Sequence, residues 1–299
     1  MTLSAEHQSV MAEEVGKYLN PREGGCIVDC TVGLGGHALA VGKLLGPRGR
    51  LIGMDRDSAS LELARGKLSS LPGNFELRHS DFRNLDKVLE ELKISQVDGI
   101  LFDLGLSSFQ LNDPQRGFSF NSEGPLDMRM DQESFINAYD LINSLSEKEL
   151  MLIFRNFGEE RFSSRIARRL VYQRRLHPIE TTRQLTEEVL KALPSFYRHQ
   201  RIHPATRIFQ AIRIAVNREL EALEMALSKC PQFLKPGGRI VVLAFHSLED
   251  RIVKTFFKSF AEHRQLKILT KKPLRPTEEE INQNSRCRSA RLRAAEKLA

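Results

Sequence analysis

The stretch that most constrains this chain is Cys26 to His37, CIVDCTVGLGGH, together with the acid that answers it at Asp55. A short apolar run, Cys26-Ile27-Val28, meets Asp29; a glycine turn, Gly33-Leu34-Gly35-Gly36, follows, and a helical pattern runs from Ala38 to Leu45. That order is strand, turn, helix. Glycines in such a turn let the backbone pass close to a nucleotide-like ligand and let the helix pack on its strand. A second strand, Arg50 to Met54, ends in Asp55, about 20 residues on, where an acid can bind ribose hydroxyls. The glycines alone leave the nucleoside open, because Gly33-Leu34-Gly35-Gly36-His37-Ala38 also fits the dinucleotide pattern GxGxxA.

The alternation continues. A helix from Leu61 to Leu68, a strand Phe75 to His79, a helical face at Leu85, Val88, Leu89 and Leu92, and a fourth strand, Val97 to Phe102, lead to Asp103. Strands alternating with helices predict an α/β fold with a doubly wound, mostly parallel sheet. Ligands then belong at the carboxyl ends of the strands, where Gly33 to Gly36, Asp55, Phe82 and Asp103 all fall. After Asp103 the pattern breaks: Leu104 to Asp131 has no sustained periodicity, yet carries Gly117-Phe118-Ser119-Phe120 and Asp127-Met128-Arg129-Met130-Asp131. A loop this long within a compact chain is usually functional. Helices without strands follow, one over Glu159 to Arg175, so an all-helical insertion is expected over 111–204, flanked by 1–110 and 205–299. One long helix is predicted from Pro204 to about Lys229, then a fifth strand, Arg239 to Phe245, and strands near Leu266 to Thr270 and Ala290 to Ala295.

Composition narrows the partners. A net charge of +7 on 299 residues favours an anionic partner, nucleic acid first. Cys26, Cys30, Cys230 and Cys287 fit no zinc spacing, so no metal is expected, and free cysteines suit a reduced, cytoplasmic protein. The N-terminus, with Glu6, His7 and Glu13, lacks a signal peptide's basic start, and no apolar run nears membrane-spanning length.

Three features turn the choice of nucleoside toward S-adenosylmethionine. Asp29 precedes the turn, where it can orient the loop or meet the ammonium of a methionine moiety. Phe82 can cover an adenine face. The sheet also resumes with a strand pair at the C-terminus, as methyltransferase sheets do. Asp103 opens Asp103-Leu104-Gly105-Leu106-Ser107-Ser108, where amino-methylating enzymes hold an acceptor for the amine followed by Pro-Pro and an aromatic. It can accept the N–H of a target amine, or simply touch cofactor or cap the next turn. Arginines along Glu159 to Arg175, the basic tail from Lys271 to Arg293, and the stripe Arg207, Gln210, Arg213 and Asn217 are candidate phosphate contacts. His246 precedes Ser247, which is expected to cap the helix that follows the fifth strand.

Together these residues resemble the bacterial-type 16S rRNA cytosine-N4 methyltransferases (RsmH/MraW type). The matching runs are His7-Gln8-Ser9-Val10, Asp29 to His37, Asp55-Arg56-Asp57, Asp103 to Ser108, Arg116 to Phe120 and Gly124 to Met130. They continue with Gly158 to Phe162, His203 to Arg207, Phe245 to Arg251 and Arg288-Ser289-Ala290. The resemblance implies a class I, Rossmann-like methyltransferase fold with a seven-stranded sheet and S-adenosyl-L-methionine as cofactor. It also implies N4-methylation of a decoding-centre cytidine in 16S rRNA, met within the small ribosomal subunit. By position it implies cofactor contacts at Gly35, Gly36, His37, Asp55, Phe82, Asp103 and Gln110, with Asp103 the candidate catalytic residue. Asp81 matches no fixed position. A DNA amino-methyltransferase would share the cofactor half but should carry the Pro-Pro-aromatic run, absent here. A non-catalytic ribosome-assembly factor would keep the basic surface without needing an intact cofactor pocket.

Overall fold

The computed structural model describes residues 9–198 and 203–299, so His7 and Gln8 of the first matching run lie outside the described residues. Seven strands form one sheet: β1 (Cys26–Asp29), β2 (Arg50–Asp55), β3 (Asn74–His79), β4 (Val97–Asp103), β5 (Leu234–Ala244), β6 (Leu266–Ile268) and β7 (Arg291–Lys297). Their order is β3-β2-β1-β4-β5-β7-β6. The first five are parallel, while β7 runs antiparallel to both β5 and β6. Helices α1 (Ala12–Leu19), α2 (Gly36–Leu45), α3 (Ser58–Leu68) and α4 (Leu85–Glu91) accompany the first four strands. A run without strands follows: α5 (Ser108–Asn112), α6 (Ala138–Ser144), α7 (Glu147–Asn156), α8 (Ser163–Arg174), α9 (Thr182–Ala192), α10 (Ser195–Arg198) and α11 (Ala205–Asn217). Then come α12 (Glu219–Phe233), α13 (Ser247–Glu262) and α14 (Glu278–Gln283).

The central strands β1, β2 and β4, and β5 from Ile240 to Ala244, are largely apolar because successive residues feed opposite cores. Ile27, Leu51, Leu101, Val241 and Leu243 point into one, with Val15, Val41, Leu61 and Ala64 from α1, α2 and α3. Val28, Ile52, Ile100, Ile240 and Val242 point into the other, with Leu85 and Leu89 from α4, Leu227 from α12 and Phe257 from α13. Where two elements come too close for a side chain, the strand carries glycine. A Cβ on Gly99 would lie 2.7 Å from Ile27 Cδ1 and 2.8 Å from Leu19 Cδ1.

The chain divides into two compact units, one made of the residues up to Gly105 with Leu220–Ala299, the other Leu106–Glu219. The second is wider than 111–204 because the single helix expected over Pro204 to Lys229 is two. Arg218 takes a left-handed conformation (φ 49°, ψ 42°) that ends α11. Ile208, Phe209 and Ile212 of α11 therefore belong to the helical core with Phe154, Ile166 and Leu185. Leu223, Ala226 and Leu227 of α12 belong to the sheet.

The long stretch after Asp103 is ordered by buried polar side chains within the helical unit. Arg116 donates to the carbonyls of Arg129 (3.0 Å) and Met130 (2.9 Å). Asn217 grips the same segment from α11, accepting from Met130 N–H and donating to Met128 O, both at 2.8 Å. Thr182 Oγ accepts from Gly124 N–H at 3.1 Å, beside a Pro125–Thr181 bridge. Among the described residues, no helix is long and apolar enough to cross a membrane.

Candidate ligand site at the carboxyl edge of the sheet

The glycine turn leaves β1 and enters α2 through two left-handed residues, Gly33 (φ 50°) and Gly35 (φ 78°), conformations that disfavour a Cβ. Asp55, at the tip of β2, holds that turn in place: one carboxylate oxygen accepts from Gly33 N–H at 2.8 Å, the other from Asp57 N–H at 2.9 Å. A carboxylate has roughly four acceptor positions, so Asp55 keeps capacity for ribose hydroxyls after both bonds. Burial raises its pKa, and the two N–H donors oppose that rise.

The tips of β1 and β4 are tied by Thr31, a residue of the Asp29 to His37 run with no role expected of it. Its hydroxyl accepts from Asp103 N–H at 2.6 Å, while its own N–H donates to Asp29 at 3.1 Å. His37, in the first turn of α2, is buried with its Nε2 3.4 Å from Asp103 Oδ2. That is ion-pair distance, but the alignment is too poor for a hydrogen bond. His37 Nε2 and Asp103 Oδ1 are both buried without a hydrogen-bond partner.

The charges explain what such a site accepts. Burial pushes Asp29 up to about 7; the His37 imidazole and Thr31 N–H pull it down, and Asp103 and Asp55 push it further up. Burial alone would lower His37, yet Asp103, then Asp29, outweigh it and raise its pKa. Asp103 and Asp29 thus both act on the buried His37 imidazole, while Asp103 and Asp55 act on Asp29. A dinucleotide would bring its anionic pyrophosphate to this turn, whereas a sulfonium and an ammonium would bring positive charge. The arrangement favours the cationic ligand.

Phe82 follows β3 and is half-buried, edge-on to Phe102 at 5.6 Å. The Arg56 guanidinium lies 5.7 Å from its ring centre and pairs with Asp81, which also accepts from Arg83 N–H at 2.9 Å. Asp81, left without a role by sequence, thus fixes the arginine beside Phe82. Gln110 belongs to the helical unit, where its Oε1 accepts from Ser107 N–H at 3.0 Å in the capping box that starts α5. The cap of α13 is His246, not Ser247: its Nδ1 accepts from Glu249 N–H at 3.4 Å, and Glu249 accepts in return from His246 N–H at 3.3 Å.

The stripe on α11 has internal partners. Arg207 donates to Tyr197 Oη (3.2 Å), Gln210 to Phe157 O (3.1 Å), and Arg213 makes a two-pronged pair with Glu219 at 2.9 Å. With Asn217 holding Met128 and Met130, the stripe fastens the helical unit together. Asn217, expected with that stripe as a phosphate contact, and Arg116, noted only within a matching run, turn out to be loop clamps.

Five parallel strands, a reversed seventh strand inserted before the sixth, and a glycine turn facing acids define a Rossmann-like methyltransferase. The chain belongs to the MraW methylase family, whose model matches residues 4–298. It is 47% identical over 308 residues to Ribosomal RNA small subunit methyltransferase H of Caldicellulosiruptor saccharolyticus, covering 98% of this chain and 99% of that one. The protein of the same description from Syntrophotalea carbinolica is 49% identical over 308 residues, covering 98% of each. That from Brevibacillus brevis is 45% identical over 312 residues, covering 99% of each.

Proposed function

We propose that this chain is an S-adenosylmethionine-dependent rRNA methyltransferase that methylates N4 of one cytidine in the decoding centre of 16S rRNA. The observation that carries the reading is the family match over residues 4–298. The carboxylates of Asp29, Asp55 and Asp103 support its cofactor half, and the buried Asp103 Oδ1, without a hydrogen-bond partner, fits a polar, cationic ligand. Gly35, Gly36 and His37 are assigned to the methionine end, Asp55 to the ribose and Phe82 to the adenine. For Gln110 the family resemblance alone supports a contact.

Bound S-adenosylmethionine supplies a methyl group on a positively charged sulfonium. The chain's own task is to present an amine whose lone pair is delocalised into the base. Asp103 accepts a hydrogen bond from the exocyclic N–H, which favours a pyramidal nitrogen and aims its lone pair. His37 faces the other oxygen of Asp103 and holds that carboxylate in place. The methylated nitrogen is acidic, so its proton leaves without a strong base. Target bases in structured RNA must be unstacked before such chemistry.

The test supplies labelled S-adenosylmethionine with 30S subunits, naked 16S rRNA or DNA, and maps the product by mass spectrometry. The expected product is a single N4-methylcytidine in the small-subunit RNA. Label appearing in DNA, at another base, or nowhere overturns the proposal.

A further inference from the structure

The segment from Arg161 to Ile179 holds six arginines and no Asp or Glu. The structure sorts those arginines into two groups. Arg169 and Arg174 turn inward: Arg169 pairs with Glu188 at 2.6 Å, and Arg174 donates to the carbonyls of Ile142 and Leu145 at 2.5 Å each. Arg161, Arg165, Arg168 and Arg175 are exposed. Arg165 and Arg168 lie on the side of α8 opposite the buried stripe of Ile166, Ala167, Leu170 and Val171; Arg161 sits in the turn before the helix and Arg175 is its C-cap. With Tyr172, 56% exposed, the four arginines recur at intervals of four, three, four and three residues, the repeat of a single helix face.

Neither Arg165 nor Arg175 has an acidic partner among the described residues. Arg168 reaches only Glu147, at 3.5 Å between exposed side chains, a pairing that contributes little in water. Arg161 is braced over the rings of Phe162 and Tyr197, at 4.7 and 4.6 Å, which holds its guanidinium in place. From Arg165 to Arg175 the row spans about 15 Å, a length over which a nucleic-acid strand carries several phosphates. Two of the basic residues noted near the C-terminal end of the sequence are tied up internally. Arg291 and Arg293 are both committed to Asp250, at 3.1 and 2.6 Å.

We infer that the outward face of α8 is an RNA-docking surface. Arg161, Arg165, Arg168 and Arg175 neutralise successive phosphates of the substrate strand, and Tyr172 stacks on a base. The inference rests on the proposed rRNA substrate, and it locates binding that is separate from the methyl-transfer site. Phosphate contacts of this kind give affinity and register, while the target base is selected elsewhere.

The test measures binding of 16S rRNA to the full chain across a salt series. The variant is R165E/R168E/R175E, compared with R48E/R65E/K258E, which makes the same change in net charge at exposed positions on the sheet unit. The α8 variant is expected to bind on the order of 10-fold more weakly or worse, with a salt dependence shallower by about two to three counterions. R48E/R65E/K258E is expected to keep most of the wild-type affinity. R165K/R168K/R175K, which retains the charges, is expected to restore binding, and Tyr172→Ala to weaken it several-fold without changing the salt slope. Equal losses in the two charge-reversal variants, an unchanged α8 variant, or no RNA binding by the wild type would each overturn the inference. Methyl transfer by the wild type is scored separately, so failure of the proposed reaction remains distinguishable from failure of this surface.

Discussion

At the residue scale, Asp29 ties charge to stability. In the unfolded chain its pKa is the ordinary carboxylate value near 3.8, while burial in the fold pushes it to about 7. Below about pH 4 the group is protonated in both states and costs nothing. As pH rises toward 7 the unfolded chain releases the proton first, so stability falls. Above 7 the folded protein carries a constant penalty on the order of 4 kcal/mol, from a shift of roughly three pH units. Asp29→Asn keeps an oxygen to accept from Thr31 N–H and removes the buried charge. It is therefore expected to raise the melting temperature at pH 8 and leave it nearly unchanged at pH 4; equal shifts at both would contradict the assignment. Asp103 makes a different prediction. Asp103→Ala is expected to lower methyl transfer by 100-fold or more, the order of one lost pre-organised contact, even with cofactor saturating. Transfer at the wild-type rate under those conditions would remove Asp103 from the chemistry.

At the scale of elements, Asn217 shows how one side chain orders a loop. It satisfies two backbone groups of the Met128–Met130 segment, with both bonds at 2.8 Å. Asn217→Ala leaves them buried and unpaired, at about 1–3 kcal/mol each. The expected result is a helical unit destabilised by about 2–6 kcal/mol and faster protease cleavage between 113 and 131; cleavage at the wild-type rate would show that Arg116 suffices. Such clamps also mark what the sequence could and could not disclose. Asp29, Asp55 and Asp103 were legible because each ends an apolar run at a strand's carboxyl tip. The meeting of Asp29 and Asp103 at His37 was not, since those two come together only through the pairing of β1 with β4. The break at Arg218 was hidden because the apolar spacing of α11 runs on into α12, and a left-handed arginine leaves no mark on periodicity. The arginines of α8 read alike as letters, and only packing separates Arg169 and Arg174 from Arg165 and Arg175.

At the scale of the whole molecule, the insertion gives one chain two independent reasons to fold. The sheet unit has a core on each face, and the helical unit has its own. The residues assigned to the methionine, ribose and adenine lie in the sheet unit, as do the acids that favour a cationic ligand. Ligand binding stabilises the state that binds, by about 2.7 kcal/mol at a concentration 100-fold above Kd. For a unit of this size that corresponds to roughly 5–10 °C. Scanning calorimetry is therefore expected to resolve two transitions, with S-adenosylmethionine raising one and Asn217→Ala lowering the other. A single transition moved by both changes would mean that the two cores unfold together. A ligand-induced rise in the transition lowered by Asn217→Ala would place the cofactor's main contacts in the helical unit, against the assignment of Asp55 and the glycine turn.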